Sequence, residues 1–202
     1  KVIGTFFVQN RSYVQYEELF ASDSVTRTSI NGREVPPIVA ALIATEDVRF
    51  RNHSGIDIPS LFRVGIKTVM LQRHSQGGGS TITQQLARNL YLEDKMFERS
   101  LSRKITEAYY AVILEKELEK DEILEAYLNT INFGCGFGIQ TAAQAYFSKD
   151  VGDLTIAESA ALASIPQAPS EFALVQTVSS TEVTDDTPNL IAKNGDYAYL
   201  WN

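Results

Sequence analysis

Pro37-Ile38-Val39-Ala40-Ala41-Leu42-Ile43-Ala44-Thr45-Glu46-Asp47 is the stretch on which the reading of this chain turns. The pair Pro36-Pro37 opens a helix at about Ile38, because proline's fixed φ suits a first helical turn and its missing N–H is not needed there. Residues 38–44 are apolar on every side, the pattern of a buried helix. That helix runs straight into Glu46 and Asp47. An unpaired carboxylate beside buried apolar surface is costly, and burial makes a carboxylate a better base near neutral pH. The ordinary alternative is a helix end with two solvated acids, although acids there oppose the helix dipole.

Outward from this stretch the chain reads as mainly α. Residues 1–20 hold two β-branched and aromatic runs split by Gln9-Asn10-Arg11, which predicts a short N-terminal hairpin. Residues 58–71, IPSLFRVGIKTVML, interleave apolar residues with Arg63 and Lys67. That pattern suits an interfacial segment with snorkelling bases, or a core helix with two exposed charges. Gln76-Gly77-Gly78-Gly79-Ser80 precedes a helix that Ser80 or Thr81 can cap. Further helices are predicted over residues 98–116 and 121–129. Another follows the tight loop Gly134-Cys135-Gly136-Phe137-Gly138. One more is opened by a Thr155/Glu158 capping box and stopped at Pro166. The expectation is a single domain over residues 1–175. An acidic, loosely ordered segment follows over residues 176–202, read as the start of a linker to a further domain.

Composition narrows the class. The 202 residues suffice for one domain with a sizeable core, and 44% hydrophobic with 21% charged residues is globular usage. A net charge of −7 argues against a nucleic-acid partner. One cysteine excludes an intrachain disulfide, and with only two histidines it argues against a structural zinc site. The apolar run 38–44 is far short of the roughly 20 residues of a membrane span. Yet residues 48–104 carry ten Lys or Arg against four acids, a basic island in an acidic chain. Such an island suits an anionic ligand or an anionic membrane surface, and equally a solvated basic face.

Four segments are candidates for chemistry. Glu46-Asp47 leads into VRFRNHSG, where His53 reads as a hydrogen-bonding element that fixes a loop. Residues 77–85 place glycines before a helix N-terminus, with donors from Ser80, Thr81 and Gln85, but lack the lysine of a nucleotide P-loop. Arg103 and Glu107 share a helix face at i, i+4 and lead into Tyr110 and Leu114; alone, this is an ordinary ion pair. Lys120 and Asp121 open an amphipathic helix whose core side is Ile123, Leu124, Tyr127 and Leu128. Each segment by itself reads as structural.

Their order and spacing do not. EDVRFRNHSG, GGSTITQQLARNL, RKITE, KDEILEAYLN and GFGIQTAAQAYF, in that order, resemble the five motifs of the peptidoglycan glycosyltransferases of family 51. These occur as monofunctional glycosyltransferases and as domains of class A penicillin-binding proteins. The resemblance spans residues 35–172, including SIPQAPSEF. It implies a mainly α, lysozyme-like fold with a small membrane-facing lobe, here residues 58–71, and an enzyme on the outer face of the bacterial cytoplasmic membrane. An N-terminal anchor helix is expected there, absent from this chain. The implied reaction polymerises lipid II into β-1,4-linked glycan strands with inversion and release of undecaprenyl pyrophosphate. The alternative is a glycan-cleaving, lysozyme-like enzyme, for which paired carboxylates serve equally well.

By resemblance, Glu46 is the base on the acceptor hydroxyl, with Asp47 beside it. Arg88, Arg103 and Lys104 are cations for the pyrophosphate. Glu107 either orients these cations or binds a divalent ion, Mg2+ or Mn2+. Ser80, Thr81 and Gln85 hold sugars or phosphates, and Lys120 and Asp121 extend the donor side. No organic cofactor is expected. The implied partners are lipid II, the growing glycan strand, the membrane surface and the cell-wall synthesis machinery. The segment 176–202 would lead to a transpeptidase domain. Arg88 departs from the family, which more often has lysine there, and the two differ in geometry. Cys135 has no assignable role.

Overall fold

A computed structural model of the chain describes residues 37–71, 79–92, 100–184, 186–187 and 189–202, excepting the side chains of 65–71. The N-terminal hairpin expected in residues 1–20 lies outside the described residues, as do Gly77 and Gly78. In chain order the helices are α1 (Pro37–Glu46), α2 (Ile58–Leu71), α3 (Ile82–Tyr91), α4 (Leu101–Glu117), α5 (Lys120–Thr130), α6 (Ile139–Phe147), α7 (Ile156–Ser164) and α8 (Pro169–Phe172). Strands β1 (Val175–Ser179), β2 (Leu190–Asn194) and β3 (Tyr197–Trp201) close the chain. The described part is mainly α with one small sheet, and none of its helices is long and apolar enough to cross a membrane.

At the centre lies α3, packed on α4 and α5. Seven of its ten residues are buried, Thr83, Gln84 and Gln85 among them. These polar side chains must therefore find partners inside the protein, and they do so around the site. Thr81 caps the helix through a full capping box. Its hydroxyl accepts the Gln84 amide N–H at 3.1 Å while the Gln84 side chain takes the Thr81 N–H at 2.9 Å. Ile82, Leu86, Leu114, Ile123, Leu124 and Tyr127 form the apolar heart, and Tyr91 stacks on Tyr110 with centroids 4.4 Å apart. At the opposite end of the motif run, α7 packs on α1 and opens with the predicted Thr155/Glu158 capping box.

The first helix is buried on one side only. Ile38, Val39 and Leu42 face the core, while Ala40 and Ala44 are exposed. Exposed alanines hide this asymmetry from a hydropathy pattern, since they read as apolar yet cost little in water.

After α1 the chain makes a 3-10 turn (Phe50–Asn52) and a loop that reaches α2. Gly55 is decisive there, with φ +89; a Cβ on it would lie 2.8 Å from the carbonyl carbon and oxygen of Ala111 on α4. The Gly55 carbonyl in turn accepts the Thr81 hydroxyl at 2.6 Å. Two residues on, Asp57 caps α2 by accepting the Ser60 amide (3.2 Å) and hydroxyl (2.6 Å), and it is paired with Arg49. Burial opposes ionisation of Asp57, but the Ser60 hydroxyl and amide and the Arg49 guanidinium together hold its carboxyl below the usual value.

The segment 176–202 corrects the sequence expectation of loose order. It is a three-stranded antiparallel sheet in the order β1-β3-β2. The alternation Tyr197-Ala198-Tyr199-Leu200-Trp201 suits a strand, with Ala198 fully buried on the inner side. Gly195, at φ +61, supplies the turn that joins β2 to β3. An average over an acidic, Ser/Thr-rich segment concealed these three five-residue strands. Asn202 returns to the helical body, its N–H on the Leu174 carbonyl at 2.9 Å and its side-chain amide on those of Glu171 and Ala173.

Two outcomes test this account. Gly55→Ala combines a positive φ with a backbone clash and should cost about 1–3 kcal/mol, read as a lower melting temperature. For Asp57 the folded pKa lies below the unfolded 3.8, so its contribution is complete above that value and is lost as pH falls through the lower one. The stability gap between the wild type and Asp57→Asn, measured by urea titration, should therefore shrink on acidification below about pH 4.

Candidate active site

Glu46 is the last residue of α1 and is half-buried. Its Oε2 accepts from Nε2 of Gln85 at 2.7 Å. Oε1 of Gln85 accepts from the Tyr127 hydroxyl at 3.0 Å, and Tyr127 on α5 is completely buried. Burial first, and then the charges of Glu46 and Asp47, push the Tyr127 phenol well above its ordinary range against the opposing pull of Arg88. Tyr127 is thus a protonated donor at any working pH.

Asp47, adjacent in sequence, has a different set of partners. It is buried, accepts the backbone N–H of Ile82 at 3.0 Å, and accepts Nε2 of His53 at 2.9 and 3.1 Å. A carboxylate only accepts, so Nε2 carries the hydrogen, and Nδ1 of His53 is buried without a partner among the described residues. His53 fixes the loop, as its place in the sequence suggested. Asp47 has its oxygens on the scaffold.

The second cluster lies on α4. Glu107 is fully buried; one oxygen meets Nη1 of Arg103 and the other Nζ of Lys104 at 2.7 Å. Nζ of Lys104 also donates to the Ser80 hydroxyl at 2.8 Å. Arg103 is buried, whereas Lys104 is 42% exposed and is the member that can meet a ligand. Glu107 is in contact with both cations. Both oxygens are occupied by cations, and no group of three or more His, Cys, Asp or Glu that could hold a metal occurs among the described residues. This donor set does not fit a divalent ion held by Glu107.

Two cavities join the clusters. One, of about 200 Å3, is lined by Glu46, Asp47, Asp57, Arg63, Ser80 and Thr81. The other, of about 670 Å3, is largely apolar, with Ile58, Leu61, Val64, Ile105 and Ala108 along it and Ser80 and Lys104 at its polar wall. Gly79 and Ser80 border both. A carboxylate acceptor, a cation and a greasy trough thus meet at one short segment. Leu61 and Phe62 on α2 and Leu101 and Tyr109 on α4 are exposed large hydrophobic residues on the helices that flank the trough.

Most of the sequence-predicted residues converge here. Glu46 meets Gln85, and Ser80, Arg103, Lys104 and Glu107 form one chain of contacts. Thr81 lines the smaller cavity, although its hydroxyl is engaged in the cap and on Gly55. Arg88 is half-buried on α3, its Nε without a partner among the described residues, and its charge acts on Tyr127. Lys120 and Asp121 border neither cavity. Lys120 donates to Glu115 (2.6 Å) and to the His53 carbonyl (2.7 Å) and lies over the Phe50 ring, and Asp121 pairs with Arg51. Sequence reasoning missed Tyr127, read as a plain core residue, and Asp57 and Arg63 at the smaller cavity. Only the small polar tip on Tyr127 signalled otherwise.

Comparison with known proteins places this geometry. Residues 13–194 match the family model described as Transglycosylase. The chain is 45% identical over 159 residues to penicillin-binding protein 1A of Pseudomonas aeruginosa, covering 77% of this chain and 19% of that protein. It is 48% identical over 141 residues to penicillin-binding protein 1A of Escherichia coli (69% and 16%) and 39% identical over 187 residues to penicillin-binding protein 1F of Bacillus subtilis (91% and 25%). It spans a quarter or less of the length of these relatives. With nine-tenths of its length matched, the chain belongs to the transglycosylase family, the glycosyltransferases of peptidoglycan synthesis in the bacterial cell wall.

Proposed function

We propose that this domain polymerises lipid II into β-1,4-linked glycan strands with inversion, releasing undecaprenyl pyrophosphate. The observation that carries the reading is the meeting of the two cavities at Gly79-Ser80. A lipid-linked sugar has three chemically distinct parts, and the arrangement offers a matching surface for each. The sugar hydroxyl suits the Glu46 carboxylate. The phosphates suit Lys104 and Ser80. The first isoprenoid units suit the trough between α2 and α4.

Chemically, inversion in one displacement needs a base on the acceptor hydroxyl and charge stabilisation at the leaving group. Glu46, held by one oxygen on Gln85, has a second oxygen with which to take the proton of the acceptor's 4-hydroxyl as the new C–O bond forms. The pyrophosphate departs with the bonding pair and is already anionic, so it calls for cations rather than a strong acid. Lys104 has three N–H donors, two of them on Ser80 and Glu107. The third is left for a phosphate oxygen. Arg103 supports the charge from beneath, and Arg88 adds to it from α3. Asp47 acts by holding α3 in place. Lys120 and Asp121 serve the donor side indirectly, by bracing the loop that carries His53.

The exposed apolar residues of α2 and α4 would rest on the membrane's outer leaflet, which presents lipid II at the height of the trough. The segment 176–202 would lead on to a transpeptidase domain, and partners in the cell-wall machinery would act on the whole protein. Mg2+ or Mn2+, if required, would arrive with the pyrophosphate rather than on Glu107.

Labelled lipid II with gel separation of products tests the reading: a ladder of lengthening strands is expected, and soluble fragments cut from preformed peptidoglycan would instead indicate a hydrolase. Glu46→Gln should lower kcat by about 10²–10⁴-fold with its melting temperature retained; full chain growth in that variant would remove Glu46 as the base. Lys104→Met should lower kcat about 10²-fold. Glu107→Gln should destabilise the fold by about 3–5 kcal/mol, because the buried Arg103 loses an ion-pair partner and Lys104 loses the same carboxylate.

A further inference from the structure

Among the described residues no backbone N–H holds the Glu46 carboxylate. Among the described contacts its one fixed partner is a side-chain amide, and an amide has two faces of opposite character. With Nε2 toward Glu46, Gln85 donates to the carboxylate. Rotated by half a turn, it would set Oε1 against the carboxylate oxygen, acceptor against acceptor. What selects the first orientation is the other end of the amide. Oε1 of Gln85 is met by the Tyr127 hydroxyl, 42 residues further along the chain and on a different helix.

We propose that Tyr127 is a positioning residue for the transfer reaction: its buried hydroxyl locks the Gln85 amide so that Gln85 always presents N–H to the general base Glu46. This rests on the reading of Glu46 as the base.

The direction of the relay follows from the chemistry of its ends. An ionised carboxylate can only accept, so Gln85 must donate to it. The amide oxygen then points away, so Tyr127 must donate in turn. A protonated phenol oxygen can itself accept, but with the amide turned the Tyr127 O–H would lose the acceptor it has among the described residues, inside the core where an unsatisfied donor is costly. At 0% exposure it also has no water with which to exchange its partner. Gln85 itself is 8% exposed, so a flipped amide would leave its oxygen unsatisfied in a dry site. Each link has one low-energy state, and the relay ends on the single oxygen of Glu46 that is not needed for the acceptor's proton.

The consequence is on chemistry and its pH dependence rather than on binding. Removing the Tyr127 hydroxyl frees the amide to turn, and the turned amide favours a protonated Glu46. The remaining charges about Glu46 stay as they are. Asp47 is held by His53 and Ile82 N–H, Asp57 by Arg49, Arg63 lies across the smaller cavity, and Arg88 stands on the same helix as Gln85.

The test is a double-mutant cycle of Tyr127→Phe and Gln85→Leu, read as kcat, KM and pH profile for strand growth on lipid II. Phenylalanine keeps the ring that packs in the core, and thermal melting reports whether the fold is kept. Expected for Tyr127→Phe is a fall in kcat of about 10- to 100-fold with KM nearly unchanged. The acid limb of the kcat profile should move up by about one pH unit. In the Gln85→Leu background the same change should have no further effect on kcat, since the group it positions is gone. Additive losses in the cycle, or a Tyr127→Phe enzyme with wild-type kcat and pH profile, would overturn the proposal. Should Tyr127→Phe melt early, the pH profile of Gln85→Leu alone decides: an unmoved acid limb counts against the relay. Glu46→Gln is run alongside. If it is dead while Tyr127→Phe is normal, only the relay fails; if it is fully active, the base assignment fails and the relay falls with it.

Discussion

Asp47 accepts a hydrogen bond from the backbone of Ile82, and the geometry of the site follows from that contact. The N–H of Ile82 is among the first of α3, whose leading amides have no partner within the helix and carry its positive dipole end. A buried carboxylate is the strongest acceptor available to such an amide. It also needs the contact, since burial without partners is costly. One bond therefore satisfies two groups and sets the end of α1 against the start of α3. Glu46 is the residue before Asp47, and Gln85 is three residues after Ile82. Once the first pair is fixed, the second pair is brought to 2.7 Å almost of necessity. His53 closes the same carboxylate from the loop, and Lys120 and Gly55 hold that loop from the other side.

The rest of the site is a separation of charge. Acidic groups gather at the end of α1 and cations at the start of α4, with Ser80 bordering both. A proton acceptor placed within the cation cluster would be stabilised as an anion and lose basicity. A phosphate placed among the acids would be repelled. On the proposed reading, keeping the two apart lets each do its work while a single substrate still reaches both.

Much of this was legible in the sequence, and the parts that were not share a cause. Helices α3 to α7 followed from caps and periodicity, because a Thr/Gln or Thr/Glu pair three residues apart has a local meaning. The pairing of Arg103 and Lys104 with Glu107 is local too, at helical spacing. Glu46, by contrast, was recognisable only from the order of five motifs, since its partner Gln85 lies 39 residues away and its support Tyr127 further still. The partners of Asp47 were hidden for the same reason: whether a carboxylate meets a backbone amide 35 residues away is a tertiary fact. The C-terminal sheet was missed because its strands are brief and flank a polar stretch that dominates any average.

Glu107 also bears on how the site lets go. Its carboxylate lies against both Arg103 and Lys104, so on the proposed reading the pull of these two cations on an incoming anion is partly offset before the anion arrives. Two uncompensated cations in a partly buried site would hold a phosphate group far more firmly, and would hold the product as firmly as the substrate. A repeating reaction must clear its leaving group at every cycle. On that reading the buried Glu107 carboxylate is a limit on grip, set by a charge that itself lies out of reach of solvent.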